Sequence, residues 1–250
     1  MDDFKDKVVI VTGGNAGIGL QAAKRFAERG ARVLITGRRE GVLRKVEAEN
    51  PNIIALQADS SDYDSAERIV NFAVKELGGI DVLVNNAGAG AILPVEEINY
   101  KALNDVFNVN VFSAAMLAKL SIPYLEKSGG SIINISSTFG HKAGAQLSIY
   151  GGSKAAIEYM TKSWALELAA KNIRVNAIAP GPTESQFLKE RMRLTDEQIS
   201  AVKEQEKNAI PLGRRGVPED VAHWIVEVAS PRAKWLSGQI VSVDGGLSES

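Results

Sequence analysis

The sequence predicts an α/β fold: a single domain whose parallel sheet of about seven strands is doubly wound, with helices on both faces. Three observations carry this. Short β-branched apolar runs alternate with amphipathic stretches of helical length from end to end. No linker, composition break, tandem repeat or low-complexity segment interrupts them. At 250 residues and 45% hydrophobic content the chain suits one large domain with a full core. Strands that read as unbroken apolar runs are covered on both faces, which is what a parallel sheet requires.

In order, 8–12 is the first buried strand, followed by a glycine-rich turn and a helix over 19–29 that Gly30 stops. A second strand spans 32–36, a helix 40–49 runs up to Pro51, and a third strand spans 53–57. A helix over 62–77 ends at Gly78-Gly79, and the fourth strand, 81–85, leads into Asn85-Asn86-Ala87-Gly88. The stretch 99–127 is helical, with Pro123 expected to kink or break it near its end. The fifth strand is 131–136, a long helix covers 149–170, and the sixth strand is 173–179. A charged helix is expected over 185–208, a short one over 218–229, and a last strand at 239–243.

Bulk properties exclude several classes. A net charge of −1 gives no pull toward nucleic acid or an anionic membrane. There is no cysteine for disulfide or thiolate chemistry, and His141 and His223 alone do not make a metal site. Residues 1–7 are charged and do not read as a signal peptide, and no apolar run is expected to span a membrane. The tail Leu-Ser-Glu-Ser is no sorting signal, so a soluble cytoplasmic protein is expected.

Thr12-Gly13-Gly14-Asn15-Ala16-Gly17-Ile18-Gly19 joins the first strand to the first helix. Glycines let the backbone approach a phosphate, and the helix start adds free N–H groups and partial positive charge. A dinucleotide therefore suits this turn. An acid ending the second strand would bind the ribose 2′-hydroxyl of NAD, but here the strand ends Thr36-Gly37-Arg38-Arg39. A guanidinium suits a 2′-phosphate, so NADP(H) is expected, with NAD(H) left open if Arg38 is only a solvated loop cation. Asp59 stands where it can accept from the adenine amino group or, equally, cap the next helix.

Ser137 leaves the fifth strand, and Tyr150 and Lys154 sit one turn apart on one face of the following helix. A phenol titrates near pH 10, too high for a ready base, and a nearby ammonium lowers that value. With a hydroxyl donating to the same oxygen, this set moves a proton on or off a carbonyl.

These segments together resemble the short-chain dehydrogenase/reductase family over essentially the whole chain. The resemblance rests on T-G-x-x-x-G-x-G at 12–19, N-N-A-G at 85–88, Asn110 in N-V-N, Ser137 after I-N-I-S, Y-x-x-x-K at 150–154 and Pro180-Gly181. It implies a Rossmann-like fold and hydride exchange between a nicotinamide and a carbonyl or secondary alcohol. Tyr150 is then the general acid/base, Lys154 lowers its pKa and holds the ribose, and Ser137 polarises the substrate oxygen. Asn110 holds a water linking Lys154 to solvent; as a bare residue it reads equally as a polar group disturbing its helix. Gly13, Asn15, Gly17, Ile18, Gly19, Arg38, Asp59, Asn86, Ala87, Gly88, Pro180, Gly181, Thr183 and Ser185 would bind cofactor alongside Tyr150 and Lys154. Two departures stand out: Gly151-Gly152 follow the tyrosine, and Gly14-Asn15 lacks a basic residue, so NADP(H) preference leans on Arg38, helped at most by Arg39.

The segment 183–216, with Phe187, Leu188, Met192 and Leu194, is similar to the family's mobile substrate lid or is an ordinary amphipathic helix. With Phe139, Ala143, Leu147 and residues 90–93 it suggests apolar walls and hence a small-molecule ketone or alcohol with hydrophobic substituents. Apolar residues on several sides of the 99–127 and 149–170 helices suit a homotetramer or homodimer, a monomer remaining open. A catalytically inactive NADP-binding regulator and a sugar-nucleotide epimerase are the alternatives. The intact Ser137, Tyr150 and Lys154 argue against the first, and the short chain against the second.

Overall fold

Seven strands form one all-parallel sheet in the computed structural model, which describes residues 3–250. Met1 and Asp2, the start of the segment read above as no signal peptide, lie outside the described residues. The strands are β1 (Val8–Val11), β2 (Arg32–Gly37), β3 (Ile53–Gln57), β4 (Val82–Asn85), β5 (Ser131–Ile135), β6 (Arg174–Pro180) and β7 (Ile240–Val243). The helices are α1 (Gly17–Glu28), α2 (Glu40–Glu49), α3 (Ser65–Leu77), α4 (Tyr100–Phe107), α5 (Ser113–Ser128), α6 (Ser148–Leu168), α7 (Phe187–Glu190), α8 (Asp196–Ala209) and α9 (Pro218–Ala229). The order across the sheet is β3-β2-β1-β4-β5-β6-β7. The chain works outward from β1 to β3, crosses back to β4, and continues to the other edge. This single-domain Rossmann-like arrangement reverses between β1 and β4, paired from Val9–Val82 to Val11–Val84. Such a reversal opens a crevice at the carboxyl ends of the strands.

The period-two rule divides the core. Val9, Val11, Val33, Ile35, Val82, Val84, Ile133 and Ile135 point to the side covered by α1, α2 and α9. Val8, Ile10, Leu34, Leu83 and Ile132 point to the side covered by α3, α5 and α6. The central residues on both faces are fully buried. Each such side chain contributes about 1.5–3 kcal/mol over its exposed state, which fixes strand register firmly.

Three expectations need correcting. The long helix does not break at Pro123, which lies inside α5. It changes earlier, at Asn108–Phe112, where one π-helical turn separates α4 from α5. Tyr100–Ser128 is also, by length and composition, long and apolar enough to cross a membrane, contrary to the expectation that no run is. One side of it, with Val106, Leu117 and Leu125, packs on α3, α6 and the sheet, while Tyr100, Phe112 and Met116 are exposed. The charged stretch after β6 is two helices, α7 and α8, rather than one. Arg193 sits at φ +60 between them, and Thr195 and Gln198 form a capping box that starts α8 afresh.

Candidate active site

The turn after β1 and the strand end at β4 are built as one piece. Thr12 Oγ1 accepts from the amides of Asn86 and Ala87 at 3.0 and 2.9 Å, and Asn86 Nδ2 donates to the Thr12 carbonyl at 2.7 Å. A Cβ on Gly19 would lie 2.3 Å from Asn86 Nδ2, so glycine is needed there for the helix to approach β4. Gly13 and Gly17 take φ +64 and +53, open to glycine at little cost. At the head of α1, Ala16 offers no side-chain cap and the first turn holds no acid. The first-turn amides of Gly17, Ile18 and Gly19 therefore have no side-chain partner and carry the positive end of the dipole, which fits a pyrophosphate. Ile18 packs down onto the core, and Asn15 covers Gly37, where a Cβ would meet its Oδ1 at 2.7 Å. Asn15 thereby ties the turn to the end of β2.

At that end Arg38 is exposed. Arg39 does not assist it: its guanidinium pairs with Glu190 of α7 at 2.7 Å. Asp59 caps its own turn rather than α3, with Oδ1 accepting from the Ser61 amide and hydroxyl at 2.9 and 2.8 Å. That carboxylate oxygen is engaged, which leaves only the other for an adenine amino group. Arg191 was not anticipated. It follows Glu190, the partner of Arg39, and burial first, then the charge of Arg38, pushes its guanidinium below the usual range.

Ser137, Tyr150, Lys154 and Asn110 are all buried together beyond the end of β5. Ser137 is extended and heads a short 3-10 turn, Thr138–Gly140, which its Oγ caps by accepting from the Phe139 amide at 3.2 Å. Lys154 Nζ lies 5.8 Å from the Tyr150 ring centre and donates to the Ile135 carbonyl at 2.8 Å. The expected lowering of the phenol is not found. Burial raises the Tyr150 pKa, with the Ser137 hydroxyl acting the other way. The reason is that the ammonium is itself desolvated and turned to a backbone carbonyl; burial brings it down to about 8, against the pull of Glu158.

Asn110 occupies the π-helical turn, where its side chain clamps Ala89, accepting from its amide at 2.8 Å and donating to its carbonyl at 2.9 Å. Its Nδ2 also donates to Ser153 Oγ at 2.9 Å, which itself donates to the Tyr150 carbonyl at 2.7 Å. The reading of Asn110 as a polar group that disturbs its helix therefore holds, and its side chain also fastens α6 beside the phenol. A cavity of about 10 Å3 adjoins it, lined also by Asn85, Thr12 and Ile135. That is about the size of one water.

Glu158 was also missed, although it continues the four-residue spacing of Tyr150 and Lys154. It is buried, accepts from Ser136 Oγ at 2.6 Å and meets His141 Nδ1 at 3.0 Å.

Beyond β6, Gly181 lies against Asp244, whose Cβ would be 2.6 Å from an added Cβ, and Thr183 Oγ1 donates to the Gly181 carbonyl at 3.0 Å. Pro180 ends β6 in the buried rim of the sheet. Ser185 approaches Gly17, 3.6 Å from its ideal Cβ position. Phe187 stacks obliquely on Tyr150 with ring centres 6.0 Å apart and also nears Gly88, while Met192 packs on Gly90. Gly151 does not make room for a ligand: its added Cβ would stand 2.7 Å from the Phe139 carbonyl. At Gly152 nothing lies within 4 Å.

A family model described as enoyl-(acyl carrier protein) reductase matches residues 13–248. The chain belongs to the short-chain dehydrogenase/reductase family. As a short-chain dehydrogenase/reductase it is an NAD(P)-dependent oxidoreductase. It is 34% identical over 249 residues to the 3-oxoacyl-(acyl-carrier-protein) reductase FabG of Thermotoga maritima, covering 98% of each chain. A diacetyl reductase ((S)-acetoin forming) of Staphylococcus epidermidis is 34% identical over 252 residues, 96% of this chain and 98% of the other. The 7alpha-hydroxysteroid dehydrogenase of Escherichia coli is 34% identical over 245 residues, 96% and 93% of the two chains. Equal identity to short-chain dehydrogenase/reductases named for such different compounds leaves the substrate to the pocket, not to overall similarity.

Proposed function

We propose that the protein is a reductase or dehydrogenase of ketones and secondary alcohols that prefers NADP(H), with Tyr150 as its general acid/base. One observation carries the reading: the phenol and the ammonium share the buried face of α6 at the same sheet edge as the uncapped head of α1. The glycine turn, Asn86, Ala87 and Gly88 would hold the dinucleotide along the β1–β4 crevice, with Pro180, Gly181, Thr183 and Ser185 at its nicotinamide end. When bound, the nicotinamide supplies or accepts the hydride.

In reduction, the carbonyl carbon gains that hydride and its oxygen gains the Tyr150 proton, with Ser137 donating a second hydrogen bond as negative charge develops. A phenol raised by burial is fully protonated near neutrality, which suits it to the acid role. Lys154, charged below about pH 8, stabilises the phenolate that remains. The water-sized cavity at Asn110 supports a relay that returns the proton. Phe187 and Met192 of the 183–216 lid, with Phe139 and Leu147, supply apolar walls, which favours a small ketone with hydrophobic substituents. Assembly as a homotetramer or homodimer, in the cytoplasm, completes the reading.

Replacing Tyr150 by Phe tests it. Across a panel of ketones, NADPH-linked turnover should fall by roughly a hundredfold or more while NADPH affinity stays near that of the unmodified chain. Unchanged turnover would remove Tyr150 from the acid/base role.

A further inference from the structure

The segment 185–192 runs along the whole crevice. Phe187 lies on Tyr150 at one end, Ser185 approaches Gly17 in the middle, and Glu190 pairs with Arg39 at the other. Its base is pinned: the Gly216 amide donates to the Pro182 carbonyl at 2.9 Å and the Glu184 amide to the Gly216 carbonyl at 2.8 Å. Buried Arg215 pairs with Glu184 at 2.9 Å and with Glu206. The 2.7 Å Arg39–Glu190 ion pair joins the chain neighbours of Arg38 and Arg191. The two arginines thus flank the same contact, one next to it on the β2 side and one next to it on the 185–192 segment. Arg191 is half-buried and feels the positive charge of both Arg38 and Arg39. Glu190 is paired with Arg39, while Asp59 keeps its charge as it accepts from Ser61, and both acids partly offset the positive neighbours of Arg191. Among the described residues no ion pair neutralises Arg38 or Arg191. A dianion between the two guanidiniums would relieve their repulsion.

We propose that Arg191 forms the second half of the 2′-phosphate site with Arg38, and that Arg39–Glu190 is the clasp that delivers it, so that NADP(H) binding and lid closure are one event. This rests on the NADP(H) reading above. Arg191 is a specificity-determining residue carried by the moving part; Arg38 alone could select the cofactor but could not report its presence to the substrate side. Through Phe187, three residues before Glu190, closure also sets the aromatic wall on Tyr150.

Dissociation constants for NADPH, NADH and adenosine 2′,5′-bisphosphate, measured by calorimetry without substrate, decide the matter. Arg191→Gln should weaken NADPH and the bisphosphate about tenfold and leave NADH within about twofold, the effect of one lost charge-assisted contact. Arg191→Lys should fall between, for NADPH only. In the unmodified chain NADPH should slow proteolytic cleavage within 185–209 more than NADH does, and in Arg191→Gln the two should protect equally. Equal loss of NADPH and NADH affinity, or unchanged NADPH affinity in Arg191→Gln when Arg38→Gln loses it, overturns the role of Arg191 and leaves the NADP(H) reading standing. An unmodified chain that binds NADH more tightly than NADPH overturns that reading, and the proposal with it.

Discussion

Lys154 shows how one side chain answers to its surroundings more than to its neighbour in sequence. Its spacing from Tyr150 was legible, and so was its place on the same helix face. What was not legible is that both groups are buried, which raises the phenol and lowers the ammonium. The consequence is measurable. Between about pH 8 and the ordinary value of 10.5, the unfolded chain keeps a proton that the folded chain has released. Stability contributed by this group therefore rises with pH across that window, and its penalty is complete below pH 8. Lys154→Met removes a penalty of order 3 kcal/mol at pH 7. Urea unfolding should show its stability, relative to the parent, declining steadily from pH 8 toward pH 10. Measurements stop there, because above pH 10 the raised Tyr150 works against stability as the unfolded phenol ionises first. A difference that stays flat from pH 7 to 10 would mean that the ammonium is not desolvated. Other residues divide the same way: Asp59, open between the adenine and the cap of the next helix, closes its own turn on Ser61 instead of capping that helix, and Arg39 pairs with Glu190.

Among the elements, α6 carries the chemistry, and its first turns are glycine-rich for one local reason rather than two. Gly151 makes way for the Phe139 carbonyl, in the turn that presents Ser137; Gly152 meets nothing. Gly152→Ala should stabilise the protein by about 0.5–1 kcal/mol, the ordinary helix-propensity gain. Gly151→Ala should destabilise it by about 1–3 kcal/mol, because the Ser137–Gly140 turn must shift, and turnover should fall with it. Thermal unfolding of the two variants side by side checks this, and an equal gain in both would discount the Phe139 contact. The strand runs and the glycine stops placed nearly every element within a few residues, since those signals are local. The π-helical turn and the α7–α8 break escaped notice for different reasons. The first is forced by Asn110 reaching Ala89 and Ser153, contacts that no window of neighbouring residues contains. The second was written in Thr195-Asp196-Glu197-Gln198, a capping box hidden inside a charged stretch.

For the molecule as a whole, the faces left apolar matter most. Of the apolar residues on the two long helices, Val106, Ile157 and Leu168 are already buried within one chain. Phe112 and Met116 on the α5 side, and Tyr159 and Leu166 on α6, are exposed, the last at 82%. Trp235, before β7, is fully exposed. Sedimentation at micromolar concentration should therefore give a dimer or tetramer, and Leu166→Asp should shift it toward smaller species while Gly152→Ala does not. A parent chain that sediments as a monomer would end the assembly reading.

What the sequence determined alone is what neighbouring residues encode together: strand and helix periods, the glycine turn at 12–19, the spacing of Tyr150 and Lys154, and with them fold and family. What the tertiary structure decided is whatever depends on distance through space and on depth: the ammonium on the Ile135 carbonyl, Glu158 beneath it, and Arg39 paired with Glu190. Periodicity is carried by the backbone repeat and survives in one dimension. Coulomb and desolvation energies depend on which distant segments pack side by side, so they exist only once the chain has folded.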